Sequence, residues 1–307
     1  MKGIAIVLLS TLCLSPDSLF FRLLTINVWD ILFWRGALVA VGIFLFLKLI
    51  KIPVISTLRE AGIISLLIIA CDTASNLFFY LALHFTSVAD TLIILSTIPI
   101  IAAILGQFFL GDKTRIRTWV AMGVIFLSVV LLVSGNTQKS HWIGDLFALG
   151  AAFFLAIALI GIRQCRSLDM TPCLGIANVL TALAALPLAH PLSIFYSGII
   201  SSTLILLLLM GLFSTLALIF LVISPRYVNA AEASLFLPLE TVLGAGLVWI
   251  FIGEVVHAPT LIGGAIILAT VFIYFLREYQ ESKRTKINVN DIGTTLETLT
   301  GVSSSCV

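Results

Sequence analysis

Two carboxylates interrupt otherwise apolar runs in this chain: Asp72, within ISLLIIACDTASNLFFYLAL, and Glu240, within SLFLPLETVLGAGLVWIFI. A charge near the centre of a bilayer costs roughly 2.5–3.5 kcal/mol on insertion scales, so it is seldom left there without a partner or a task. Asp72, Asn76 and Tyr80 are spaced i, i+4, i+8 and fall on one helical face. That face could line a polar cavity, or it could serve as polar glue between two helices. Asp72 and Glu240 are each candidate proton carriers for a coupled cycle. Asp17 and Arg35 could form a pair in the outer half of the membrane, and so could Arg22 and Asp30 at its edge. Phe236, one turn before Glu240, is the best placed of the aromatics (Trp29, Trp34, Phe78, Phe79, Phe153, Phe154, Trp249) to stack on a substrate. Aromatics of this kind more often pack against lipid or other helices, and the charged groups could instead form buried structural pairs or snorkel to the interface. The candidate substrate or coupling set is therefore Glu240, Asp72, Asn76, Tyr80, Asp17, Arg35 and Phe236.

Other chemistries lack their residues. His84, His141, His190 and His257 lie in or near expected loops without metal-ligand spacing such as HExxH, so no metal and no cofactor are expected. Cys13, Cys71, Cys165, Cys173 and Cys306 fit neither a disulfide framework nor a CxxC site. The absence of a GxxxxGK[ST] loop argues against ATP hydrolysis. No basic stripe with interleaved aromatics suggests nucleic acid.

The elements that must position these residues are membrane spans. With 60% hydrophobic and 10% charged residues and a mean hydropathy of +1.19, the chain departs far from soluble domains, which carry about 25% charged residues. Crossing roughly 30 Å of hydrocarbon takes about 20 apolar residues per helix. That rule places about ten spans, at 3–23, 29–50, 61–83, 88–110, 116–134, 143–163, 172–190, 199–223, 229–252 and 258–276. The first is read as an uncleaved span rather than a secretory signal. Pro238 should loosen the ninth span just before Glu240, and Gly244, Ala245 and Gly246 should let a neighbouring helix approach closely. Lys2, Lys48, Lys51, Arg59, Arg115, Arg163, Arg226 and Arg277 fall on one side of the membrane, against Lys139 on the other. The positive-inside rule then makes both termini cytoplasmic. Residues 277–307 read as a polar, solvated, disordered tail.

An internal repeat organises the spans. His84–Leu132 aligns without a gap on Arg226–Tyr274, laying Asp90 over Glu232 and Gly111-Asp112 over Gly253-Glu254. Asp90 and Glu232 read as helix caps, and Asp112, Asp145 and Glu254 as helix-boundary residues. The first copy is followed by KTRIR and the second by VVHAP, which carries no Lys or Arg, so the copies obey the charge rule in opposite senses. The expected fold is an all-α integral membrane protein of two inverted five-helix repeats, 1–135 and 142–276. Inverted repeats are a common construction of alternating-access carriers. Glu240 lies over Ile98, so this acid has no counterpart in the first copy.

With Gly144-Asp145 opening the sixth span, Leu239-Glu240 in the ninth, and GD and GE closing the fourth and ninth, the chain resembles the EamA-type branch of the drug/metabolite transporter superfamily. It differs at Thr241, where that family often has proline, and at Ser15-Pro16-Asp17, where it often has Trp-Gly. The resemblance implies ten helices, a central cavity lined mainly by helices 1, 3, 4, 6, 8 and 9, and export or exchange of small metabolites across the plasma membrane. The partners expected are a small-molecule substrate and the lipid bilayer, with a homodimer left open. A transport-inactive scaffold on the same fold and an intramembrane enzyme are the competing readings.

Overall fold

The computed structural model describes residues 2–24, 26–85, 91, 94–111, 115–133, 142–190, 200–224, 227, 236–252, 262–274 and 276–277. The described helices, in chain order, are α1 (Lys2–Leu14), α2 (Pro16–Leu23), α3 (Val28–Ile50), α4 (Val54–Ala61) and α5 (Ile63–Phe85). They continue as α6 (Ile98–Leu110), α7 (Ile116–Val133), α8 (Trp142–Gln164), α9 (Thr171–Ala185), α10 (Ile200–Ile223) and α11 (Leu237–Ile252). A last apolar helix, α12, runs over Ile262–Tyr274. No strand occurs among the described residues. Val28–Ile50, Ile63–Ala82, Trp142–Gln164 and Thr203–Ile223 are long and apolar enough to cross a membrane alone. Large side chains such as Ile63, Phe108, Phe109 and Leu49 stand 73–82% exposed, as expected where the surrounding solvent is lipid. This is an all-helical, multi-pass membrane protein.

Three expected spans are interrupted. The first divides at Ser15 into α1 and α2, with Pro16 in the first turn of α2. Ser15 Oγ donates to the Thr11 carbonyl at 2.8 Å, while Pro16 has no N–H with which to continue the ladder. In the fourth, Ser96-Thr97 form a turn before α6, whose first turn holds Pro99. In the ninth, Phe236 forms a turn and α11 begins at Leu237. The expectation of one helix over 229–252 with Glu240 at its middle is therefore corrected: Glu240 lies in the first turn of α11. A further difference lies between α3 and α5, where an expected loop holds the short helix α4. Lys51 caps α3 in the left-handed conformation, and this turns the chain into α4.

Neighbours in the bundle are exchanged in a regular way. Taking α1 and α2 together as the first span, first packs on eighth (α1 and α2 with α10) and third, most extensively of all, on sixth (α5 with α8). Second packs on seventh (α3 with α9), third on seventh (α5 with α9) and second on eighth (α3 with α10). Fourth packs on sixth (α6 with α8) and first on ninth (α2 with α11). Replacing every span n by its counterpart five places on or back returns the same set of pairs.

Several interfaces are closed by small residues. A Cβ on Gly150 of α8 would lie 2.5 Å from the Phe78 ring of α5, and one on Gly36 of α3 would lie 2.9 Å from the Asn178 carbonyl of α9. Hydrogen bonds reinforce such contacts: Ser75 Oγ donates to the Ala151 carbonyl at 3.0 Å, and Ser10 Oγ to the Ala217 carbonyl at 2.8 Å. The expected close approach at Gly244–Gly246 is not found at Gly246, which has nothing within 4 Å of its would-be Cβ. The tight contact on α11 comes instead from Gly264 of α12, whose Cβ would stand 3.1 Å from Val242.

Candidate functional site

The first acidic side chain along the chain is Asp17, in the first turn of α2. Proline at the preceding position is tolerated there, and a carboxylate favours the unsatisfied N–H groups of a helix start. Asp17 is reached from two other helices. Arg35 Nε, on α3, donates to Asp17 Oδ2 at 3.2 Å, and Ser214 Oγ, on α10, donates to Asp17 Oδ1 at 2.8 Å. Both carboxylate oxygens are thus engaged, which a buried ion pair requires if attraction is to offset lost hydration. The side chains of Arg35 and Asp17 are only 12% and 16% exposed.

Three more of the expected site residues surround this pair. Tyr80 of α5 and Glu240 of α11 both interact electrostatically with Arg35 and with Asp17. Asp72 of α5 also feels the Arg35 charge. Tyr80 is buried against Leu32 of α3 and Ala185 of α9. Glu240 is half-buried and has no hydrogen-bond or salt-bridge partner among the described residues. Interrupting α11 just before Glu240 is what gives this carboxylate its place in a helix first turn, where the helix dipole favours negative charge.

The i, i+4 relation of Asp72 and Asn76 turns inward on their own helix. Asn76 Nδ2 donates to the Asp72 carbonyl at 2.9 Å and to Asp72 Oδ2 at 3.2 Å. Asp72 is 6% exposed, and Thr73 beside it donates to the Ala177 carbonyl of α9 at 3.2 Å. This end of the polar face therefore joins α5 to α9, while the Tyr80 end approaches Arg35.

Phe236 does not line the site. It has no exposed surface and packs with Val7, Met122, Leu239 and Ile267, its ring edge-on to Tyr274 at 6.3 Å. The turn that frees Glu240 directs this ring into the apolar core. Asp30 is buried and accepts from the His190 backbone N–H at 2.5 Å; the Arg22 side chain lies outside the described residues. Asp90, Asp112, Glu232 and Glu254 also lie outside them. Asp145 sits in the first turn of α8. Among the other aromatics, Phe78 packs edge-on to Phe147 and Phe154 at 5.4 Å, and Trp249 is 53% exposed on the outer surface. No group of three or more metal-ligating side chains occurs among the described residues.

Ser214 is the residue that the sequence reading missed. Its signal was present: Ser214-Thr215 is a polar pair inside the apolar run of α10. Thr215 satisfies its own helix by donating to the Gly211 carbonyl at 2.6 Å, whereas Ser214 reaches across to Asp17.

Comparison with known proteins agrees with this architecture. The model of the EamA-like transporter family matches residues 1–134 and again 142–276. Over 251 residues, 80% of this chain and 84% of the relative, the sequence is 26% identical to the pseudopaline exporter of Pseudomonas aeruginosa. It is 28% identical over 189 residues to the S-adenosylmethionine uptake transporter of Rickettsia felis, a match that spans 61% of this chain and 63% of that relative's length. A solved crystal structure superposes with a TM-score of 0.76 at 14% identity, covering 91% of this chain and 98% of the other, which establishes the likeness of fold.

Proposed function

Because the chain belongs to the EamA-like transporter family, we propose that it is a secondary transporter that moves a small organic metabolite by alternating access. The family and the named relatives are transporters and not enzymes. The cargo in this reading is an amino acid, an amino-acid derivative or a drug-like compound, carried in export or exchange across the plasma membrane. Proton coupling through Glu240 or Asp72 is part of the same proposal.

The observation that carries the reading is the assembly of Asp17, Arg35, Ser214, Tyr80 and Glu240 from α2, α3, α10, α5 and α11. Three of these helices come from the first copy of the matched family unit and two from the second. Charged groups brought together between two copies are where a rocking carrier holds its cargo. The interchange of contacts between span n and its counterpart supports two copies related by an approximate two-fold axis. Their inverted orientation, with both termini cytoplasmic, is proposed from the loop charges.

Counterflow in liposomes tests the function. Purified full-length protein should exchange at least one labelled metabolite from a broad panel, and silence across that panel favours a scaffold that has lost transport. Glu240→Gln should slow counterflow at least tenfold or abolish its dependence on pH while the protein still inserts and melts at the same temperature. Unchanged counterflow, with an unchanged dependence on pH, removes Glu240 from the cycle. A fluorescent reporter fused to the C-terminus should mature in the cytoplasm; a dark fusion reverses the proposed orientation.

A further inference from the structure

The geometry points to a phospholipid site on the membrane-facing side of the bundle, between the interrupted fourth span, α7 and α8. One acyl chain fills a cavity there, and an amine-bearing headgroup lies beside Asp145.

The first ground is the cavity itself. It holds about 500 Å³ and is lined by Ile94 and Thr97 of the fourth span, Phe126 of α7, and Trp142, Asp145 and Leu149 of α8. Thr97 Oγ1 already donates to the Ile94 carbonyl at 2.6 Å, and Asp145 is the one charged side chain of the lining. Water placed there would lack most of the roughly two to four polar partners it needs. An empty cavity would forfeit dispersion contacts along its walls. Hydrocarbon suits it, and the bilayer supplies hydrocarbon at this surface, where Leu149 is 48% exposed. Thr97 belongs to the turn that interrupts the fourth span, so the chain lies against the place where that span bends.

The second ground is the repeat. In the register that lays Glu240 over Ile98, Phe236 lies over Ile94, and Val7 of the first span falls at Leu149 of the sixth. In the second copy this place is occupied: the Phe236 ring has no exposed surface and packs with Val7. In the first copy the smaller Ile94 leaves it open. Of two equivalent clefts, one is closed by the protein's own ring and the other is left for a ligand.

The third ground is polarity along α8. Trp142 is 74% exposed at the helix start, as tryptophans at the headgroup level are. Leu149 lies about 10 Å further along the axis. A chain entering past Trp142 therefore runs inward against Leu149. Asp145, near the entrance, repels a phosphate standing alone and attracts an ammonium.

Photolabelling of the full-length protein in nanodiscs tests the site. Phosphatidylethanolamine carrying a diazirine in one acyl chain is activated, and the labelled residues are mapped by mass spectrometry. Labelling at Phe126 and Leu149 should exceed that at Val41 and Ile250, exposed on other helices, at least fivefold. Ile94→Phe, which sets the second copy's ring into the first, should lower cavity labelling at least fivefold and leave Val41 and Ile250 unchanged. Leu149→Phe fills the same space from α8 and should lower labelling at Phe126 as much. Phosphatidylglycerol with the same chain should label the cavity at least threefold less, and Asp145→Asn should remove that difference. Even labelling of all exposed helices means annular lipid only and overturns the site. Cavity labelling that neither filling variant lowers, or that a free fatty acid bearing the diazirine matches, overturns it too. Equal labelling by the two phospholipids overturns the headgroup assignment alone.

Discussion

Two consecutive residues of α3 hold their neighbours in opposite ways. Gly36 meets α9 by shape: a Cβ there would lie 2.9 Å from the Asn178 carbonyl and 3.1 Å from the Ala182 nitrogen. Arg35 meets α2 by charge, through the 3.2 Å contact with Asp17 that Ser214 completes from α10. A steric fit between backbones admits one spacing, because overlap rises steeply with any approach. A charge pair can exchange its partner when another carboxylate arrives, with little change in the helices themselves. The bundle therefore has rigid seams, at α3–α9 and α5–α8, and an adaptable one where α2, α3, α10 and α11 converge. A carrier needs both: bodies that move as units and a site whose contacts can be remade.

Breaking the adaptable seam should have the largest effect. Arg35→Met leaves Asp17 buried with Ser214 alone, a loss of about 3–5 kcal/mol for one half of a buried pair. Thermal melting in detergent should show it, and adding Asp17→Asn should restore most of the loss. If the double variant is no more stable than Arg35→Met, the pair is not an energetic unit. The rigid seam comes next. Gly36→Val drives a side chain into backbone that has no rotamer to yield, and overpacking of this kind costs about 1–3 kcal/mol. A melting temperature unchanged by Gly36→Val would mean that α3 and α9 are not in fixed contact.

Smaller changes grade the comparison. Ser214→Ala should cost about 0.6–1.7 kcal/mol, the range from average to strongest for hydrogen bonds between membrane helices. A larger loss would place Ser214 among the principal supports of Asp17. Gly246→Ala should be close to neutral, since nothing stands within 4 Å of its would-be Cβ. A marked drop in its melting temperature would show that α11 packs more closely than described.

Much of the scaffold was legible in the sequence, and the reason is the bilayer. Lipid forces every spanning backbone to satisfy itself, so apolar length alone locates helices. The expected spans at 29–50, 116–134, 143–163 and 199–223 lie within one residue at each end of α3, α7, α8 and α10. Less legible were the interruptions at Ser15, Ser96-Thr97 and Phe236, because hydropathy does not register a turn flanked by apolar residues. The short helix α4 escaped for the opposite reason: its eight residues, VISTLREA, are too short and too polar for a span.

The candidate site divides in the same way. Residue type and depth picked out Asp17, Arg35, Asp72, Asn76, Tyr80 and Glu240, since charged and polar groups in apolar runs are conspicuous in one dimension. Which of them meet was decided by packing. The one-turn spacing before Glu240 makes Phe236 a candidate to stack on a substrate, and a turn in the backbone places it in the core instead. Ser214 gave a weak signal because hydroxyls in membrane helices commonly bond to their own helix, as Thr215 does.

By itself the sequence determined that this chain is a multi-pass helical membrane protein and which side chains carry unusual charge. Hydrophobicity and covalent spacing are one-dimensional quantities, and they suffice for that. Only the tertiary structure decided that Asp17 is shared between α3 and α10, that Asp72 is bound to Asn76, and that Glu240 has no hydrogen bond or salt bridge among the described residues. Those outcomes depend on distances between helices far apart in the chain, which the crossing of packed helices sets and residue order does not.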